Sequence, residues 1–214
     1  MTDVWTHLGL VDRTVGEREH EGRLARLVVA SRRYSTSVDD LWDAITNPAR
    51  IPRWFLPISG DLRLGGRYQL EGNAGGVITL CDPPRRLKLT WEWGADISWV
   101  DVELSSDSAG GSRLRLEHLG HVPDEFWERY GPGAGGVGWD MALFGLDQYF
   151  VTGAAVTPAE AAAWVGSAAG KAFVRGSSDE WCRASIAAGT EPAGAEAAAR
   201  RTTAFYTGEA PPEA

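Results

Sequence analysis

The chain has 214 residues, 43% of them hydrophobic and 23% charged, which suits one folded domain with or without an appendage and excludes a disordered or fibrous polymer. A formal net charge of −8 argues against nucleic acid as a partner, because that role needs a basic stripe to meet phosphates. A membrane is not expected as a partner either: no apolar run reaches the roughly 18 residues of a span, and no basic amphipathic run suits a membrane surface.

Residues 1–22 are polar and mixed, and the charge run DRTVGEREHEG reads as a solvated arm or an edge hairpin with little chemistry. The opening MTDVWTHLGLVDRT has an acid at position 3 and no basic stretch before an apolar one, so it does not read as a signal peptide. Cys81 and Cys182 are far apart and read as reduced thiols, so the expected location is cytoplasmic.

Residues 23–153 alternate strand and helix signals. LARLVVASRRY (24–34) predicts a strand. Ser37, with Asp40 three positions on, predicts a capped helix whose apolar face is Val38, Leu41, Trp42 and Ile45. Asn47–Pro48 ends it, and ARIPRWF predicts a further helical turn. A meander follows. DLRLGGRYQLEG predicts two short runs joined at Gly65–Gly66, and GGVITLCD a strand ending at Pro83–Pro84. RRLKLTWEW alternates with Leu87, Leu89, Trp91 and Trp93 on one face, and ISWVDVEL places Val100, Val102 and Leu104 inward. SDSAGG (106–111) is a hairpin loop, and SRLRLEHLG puts Leu114, Leu116 and His118 on one face. The total is six or seven antiparallel strands, each half buried. DEFWERY predicts a short helix, GPGAGGVG a flexible glycine loop, and VGWDMALFGLDQYFVTG a long helix with the stripe Trp139, Leu143, Leu146 and Phe150.

Residues 154–214 shift to Ala, Gly, Ser and charge. Thr157-Pro158-Ala159-Glu160 is a capping box that opens a helix to about 169. A second helix is expected at 171–188, stopped by Gly189, and a third at 191–207, stopped by Gly208. The stretch is too short for a strong core of its own and is expected to dock on the rest. Close packing of Ala-rich helices makes a homodimer an expectation as well.

Taken together, SVDDLWDAITNPARIPRWF, GGRYQLEG, CDPPRRLKLTWEW, RLRLEHLG and GWDMALFGLDQYF resemble the START/SRPBCC superfamily, in particular its branch homologous to the activator of heat-shock protein 90 ATPase. The resemblance covers about 23–153. It implies an α+β helix-grip fold, a curved antiparallel sheet wrapped around a long C-terminal helix with a cavity between them. The resulting division is an N-terminal arm (1–22), a helix-grip domain (23–153) and a helical C-terminal extension (154–214). The resemblance does not extend to the last of these. Fold alone does not set function, since the superfamily spans carriers, receptors, cyclases and oxygenase subunits.

The expected cavity side chains are Trp54, Phe55, Tyr68, Leu89, Trp91 and Trp93, with Val102, Leu116, His118, Trp139, Leu143 and Phe150. His118 and Tyr68 would be polar anchors for a small apolar or amphipathic ligand. Two other readings stand beside simple binding. One is a cyclase, hydratase or hydrolase using His118 as acid/base. The other is a chaperone-associated interaction protein, which the inward alternation of the Trp residues disfavours.

No cofactor and no metal are expected. His118 and His121, with Glu117 and Asp124, do not converge on a strand. The two G-x-G-x-x-G matches, from Gly131 and Gly133, lack a preceding strand in a βαβ unit, and GSAAGKA lacks the spacing of a P-loop. No G-x-S-x-G elbow is present, and both cysteines read as structural. Asp39/Asp40 and Asp179/Glu180 read as acids in first helical turns.

Overall fold

In the computed structural model, which describes residues 4–107 and 110–210, the alternating runs become one antiparallel sheet. Its strands are β1 (Val11–His20), β2 (Arg23–Tyr34), β3 (Ile58–Gly60), β4 (Arg67–Leu70), β5 (Gly75–Asp82), β6 (Arg86–Trp93), β7 (Asp96–Ser106) and β8 (Ser112–Gly120). Their order is β1-β2-β8-β7-β6-β5-β4-β3, a meander that returns to pair β8 with β2. The helices among the described residues are α1 (Val4–Gly9), α2 (Val38–Thr46), α3 (Asp124–Tyr130), α4 (Gly133–Thr152), α5 (Pro158–Gly166), α6 (Ala168–Ala187) and α7 (Pro192–Thr207), with a 3₁₀ turn at Ile51–Arg53. This is the α+β helix-grip arrangement, a curved sheet wrapped around α4. The centre of the expected 106–111 loop, at 108–109, lies outside the described residues.

Register sets the inner face. Leu116 sits opposite Val102 and Ala30, His118 opposite Val100 and Val28, and Leu114 opposite Leu104, so period-2 alternation stacks one apolar layer against α4. Ser37 caps α2 by accepting from the Asp40 amide at 3.2 Å, and Leu41 and Ala44 of this helix are fully buried in the same apolar cluster.

Eight strands form rather than six or seven, and one expected strand lies elsewhere. Residues 11–20 pair along their whole length with β2 and become the sheet edge, with Val11, Arg13 and Val15 turned inward and Asp12 and Thr14 outward. The strand opposite β4 is 58–60, not the expected 61–64. Residues 61–66 form the loop instead, where Asp61 N–H donates to Arg67 O at 2.8 Å and a Cβ on Gly66 would fall 2.0 Å from Asp61 O.

The glycine stretch is not a flexible loop. The chain turns at Gly131 (φ 60°), and α4 starts at Gly133. The missing side chains let other elements approach. A Cβ on Gly136 would lie 2.3 Å from Trp181 Cε2, one on Gly133 3.1 Å from Thr202, and one on Gly145 2.5 Å from Trp54 O. Glycine weakens a helix by about 1 kcal/mol relative to alanine, and here that cost is offset by packing. Gly136→Ala is therefore expected to destabilise by about 1–3 kcal/mol, because the Trp181 ring is 1% exposed and cannot retreat. Gly135→Ala meets only His118 Nδ1 at 3.8 Å and should stabilise by about 0.5–1 kcal/mol. Urea midpoints of the two variants should move in opposite directions.

The three C-terminal helices follow the sequence expectation closely, with the Thr157/Glu160 capping box formed and Gly208 in the left-handed region. Asp179 and Glu180 are a correction: they lie in the middle of α6, which runs from Ala168 to Ala187, not in a first turn. α6 packs on α4, α1 and β1, and α7 packs on α3, α4 and α6.

Two buried charge clusters join these layers. Asp140 on α4 accepts from Arg13 Nε (3.0 Å), Ser177 Oγ (2.5 Å) and Trp181 Nε1 (3.1 Å). Asp147, two turns on, pairs with Arg32 Nη2 at 2.5 Å. Arg32 Nη1 also donates to His7 Nδ1 on α1, which must be the acceptor because a guanidinium only donates. Burial holds the His7 pKa below its ordinary value and keeps the ring neutral. The segment expected to carry little chemistry thus supplies His7 and Arg13 to the interior.

Candidate functional site

The sheet reaches further than the helix that fills it. α4 lies over the β2 side, where it buries Leu143 and Leu146 among Leu41, Val100, Val102, Leu114 and Leu116. A second apolar cluster, Tyr68, Leu70 and Ile78 with Phe55, Ile58 and Leu62, forms where β3, β4 and β5 meet the 3₁₀ turn. Leu87, Leu89 and Trp91 on β6 belong to both clusters. Between them is a cavity of about 160 Å³, with a wall that is almost wholly carbon.

Nine of the expected side chains line it. Trp54 and Phe55 come from the turn after α2, Tyr68 from β4, Leu89 and Trp91 from β6, Val102 from β7, Leu116 from β8, and Trp139 and Leu143 from α4. Several of these, including Trp54, Phe55, Leu89, Trp91 and Trp139, are only half buried, so the cavity opens to solvent. Trp54 and Phe55 stack at 5.4 Å, and the Trp91 and Trp139 rings meet at 4.9 Å with a 59° tilt.

Three expected residues do not line it. Trp93 is 58% exposed: the alternation is kept, but β6 outruns the helix there and turns at Gly94. Phe150 lies one turn beyond Leu146 and packs on Tyr34 at 5.7 Å, under the Arg50 guanidinium.

His118 sits behind the wall rather than in it. Trp139 Nε1 donates to its Nδ1 at 3.0 Å, and its Nε2 lies 2.8 Å from Ser98 Oγ. An indole N–H can only donate, so Nδ1 is the acceptor and Nε2 carries the proton. Ser98 Oγ then accepts from His118 and donates to Trp91 O at 3.1 Å. Both imidazole nitrogens are committed, and burial pulls the pKa down to about 4, so the ring is neutral near pH 7. An acid/base needs a free lone pair or a transferable proton at the reacting atom; here neither faces the cavity. Tyr68 lines the cavity, but its hydroxyl proton goes to Thr90 O at 2.8 Å, and burial raises its pKa.

Reasoning from sequence missed part of the wall. Ile45, Thr46 and Ile51 come from α2 and the turn after it. Ile58, Leu62, Leu70 and Ile78 come from the β3–β5 end, and Ala142 from α4. Ile45 was visible on the α2 apolar face. Leu70 and Ile78 fell on expected strands but were not assigned to the inner face, and Ile58 was missed because the strand opposite β4 was placed at 61–64. Cys81, expected to be structural, is an exposed thiol on the wall; Cys182 is half-buried in α6, where burial pushes its pKa up.

The four residues weighed for a metal disperse. Glu117 pairs with Arg18 (3.0 Å) and Arg115 (2.7 Å), Asp124 with Arg26 (2.8 Å), and His121 contacts Leu24 O. Among the described residues no group of three or more His, Cys, Asp or Glu converges on a point. No helix of the described residues is long and apolar enough to cross a membrane. None of α5, α6 or α7 lines the cavity; α6 and α7 pack on α4.

The sequence model of the family described as Activator of Hsp90 ATPase homolog 1-like protein matches residues 35–151. Among solved structures, the crystal structure of CalU16 from Micromonospora echinospora is 38% identical, with a TM-score of 0.59 over 67% of this chain and 87% of that one. The solution structure of CalU16 is 32% identical, with a TM-score of 0.68 over 83% of this chain and 96% of that one. Protein MLL2253 from Mesorhizobium loti is 26% identical, with a TM-score of 0.53 over 59% of this chain and 97% of that one. The 83% share exceeds the span 35–151, so the likeness to CalU16 takes in elements outside the family segment. No curated protein matches the chain.

Proposed function

The chain belongs to the Activator of Hsp90 ATPase homolog 1-like protein family, and from that membership we propose that it is a binding protein for a small apolar ligand held between the sheet and α4. The observation that carries the reading is the set of half-exposed aromatic and aliphatic side chains facing one concavity of about 160 Å³. Large apolar groups left in partial contact with water cost free energy that a ligand recovers on binding. Binding rather than turnover is favoured by the wall chemistry. Among the described residues no carboxylate, imidazole, guanidinium or ammonium lines the cavity, and the histidine behind it has no free nitrogen.

The test is native mass spectrometry of the protein purified gently from its own host, alongside Ala142→Leu. Ala142 lines the cavity from α4, so the longer side chain fills the space a ligand needs. The wild-type protein is expected to carry a non-covalent mass excess that disappears on denaturation. The variant should carry less than about a tenth of it while melting at the same temperature or higher, since cavity-filling substitutions commonly stabilise. An excess retained in full by Ala142→Leu would locate the ligand elsewhere and end this reading.

A further inference from the structure

Resting on that reading, we infer that the cavity selects a small, uncharged, planar ring and rejects the same ring once it carries a charge. The first argument is charge. With no ionic side chain on the wall, an entering carboxylate or ammonium would lose its hydration and meet nothing of opposite sign. The second is hydrogen bonding. The donors on the wall are mostly committed to the protein: Trp54 Nε1 to Ala44 O (3.0 Å), Tyr68 Oη to Thr90 O (2.8 Å), Trp139 Nε1 to His118 Nδ1 (3.0 Å) and Thr46 Oγ1 to Trp42 O (2.7 Å). The Trp91 indole N–H and the Cys81 thiol remain, one neutral donor and one weak one. They cannot replace the water shell of a carboxylate.

The third argument is size and shape. A dry apolar cavity of about 150 Å³ takes benzene, and this one is about 160 Å³. Trp91 and Trp139 stand 4.9 Å apart, and the Trp139 indole is held by its bond to His118, which Ser98 ties in turn to the backbone carbonyl of Trp91. The Trp139 face is set before a ligand arrives, so less ordering is lost on binding. A flat ring gains from such faces what a puckered one does not.

The experiment is calorimetric titration of the full chain at neutral pH with toluene, methylcyclohexane, benzoate and benzylammonium. Toluene is expected to bind. Methylcyclohexane should bind about 2–10-fold more weakly, and both ions at least about 100-fold more weakly. Benzoate or benzylammonium within tenfold of toluene overturns this inference and leaves the cavity reading standing. Methylcyclohexane equal to toluene overturns the preference for a planar ring. Binding by none of the four defeats the cavity reading, and this inference with it.

Discussion

Asp140→Ala is expected to destabilise the protein by about 3–5 kcal/mol, the usual cost of removing one partner from a buried ion pair. The Arg13 side chain is 4% exposed and that of Asp140 is fully enclosed, so the guanidinium left behind cannot turn to water. Arg13 Nη1 keeps the Leu8 and Val11 carbonyls, but Nε loses its carboxylate. Ser177 and Trp181 lose the same acceptor. Because Arg13 lies on β1, Asp140 on α4 and the other two on α6, the loss falls on the junction of sheet, central helix and C-terminal extension. Amides of α6 should therefore exchange faster in the variant than those of β7 and β8. Replacing both charges, as Arg13→Met with Asp140→Leu, removes the stranded ion and should cost less than Asp140→Ala alone. Urea denaturation of the single and double variants decides the matter. A single variant within about 1 kcal/mol of wild type would show that the cluster does not hold the layers together.

This cluster marks where the sequence stops being legible. Inward positions of β6, β7 and β8 could be read directly, because Leu87/Leu89/Trp91, Val100/Val102/Leu104 and Leu114/Leu116 alternate over half-buried strands. The same logic applied to residues 11–15 gives Val11, Arg13 and Val15 inward. The arginine hid the pattern, since a charge in a charged run is normally solvated. Asp140 and Asp147 hid the second face of α4 in the same way. That helix is buried nearly all round, with Val137, Asp140, Phe144 and Asp147 on the side away from the cavity. Only the partners, distant in sequence, make such a face tolerable.

The glycines that open α4 were misread for a related reason. GPGAGGVG has the composition of a loop, and local propensity argues for one. What makes it helical from Gly133 is the arrival of Trp181 and Thr202 from a segment more than 40 residues away. The candidate site divides along the same line. Its β6, β8 and α4 walls and Tyr68 on β4 were legible, whereas the part from Ile58 depended on a loop closure that alternation does not encode. Trp93 shows the converse. The period was right, but no element packs over the end of β6, so the side chain stays exposed.

A pH experiment reads out the histidine behind the cavity wall. Burial gives His118 a folded pKa of about 4, against an ordinary value of 6.5. The unfolded chain therefore takes up a proton on this ring below pH 6.5 while the folded one does not. The associated stability is fully present above pH 6.5, declines as the pH falls and levels off near pH 4. The gap amounts to about 3 kcal/mol at its limit. Other groups titrate in the same window, His7 among them with a lowered pKa of its own. The informative quantity is thus a difference between proteins. His118→Gln supplies one acceptor for Trp139 Nε1 and one donor for Ser98 Oγ, yet carries no titratable proton. Its stability relative to wild type should rise by about 3 kcal/mol between pH 7.5 and pH 4, with His7 and the carboxylates cancelling. Urea midpoints at four or five pH values measure it. Parallel curves for the two proteins would mean that the imidazole titrates as if exposed. Its nitrogens would then not both be committed to Trp139 and Ser98, and a role as acid or base in the cavity would return to consideration. A converging pair of curves would instead fix His118 as the neutral strut that holds Trp139 against Trp91.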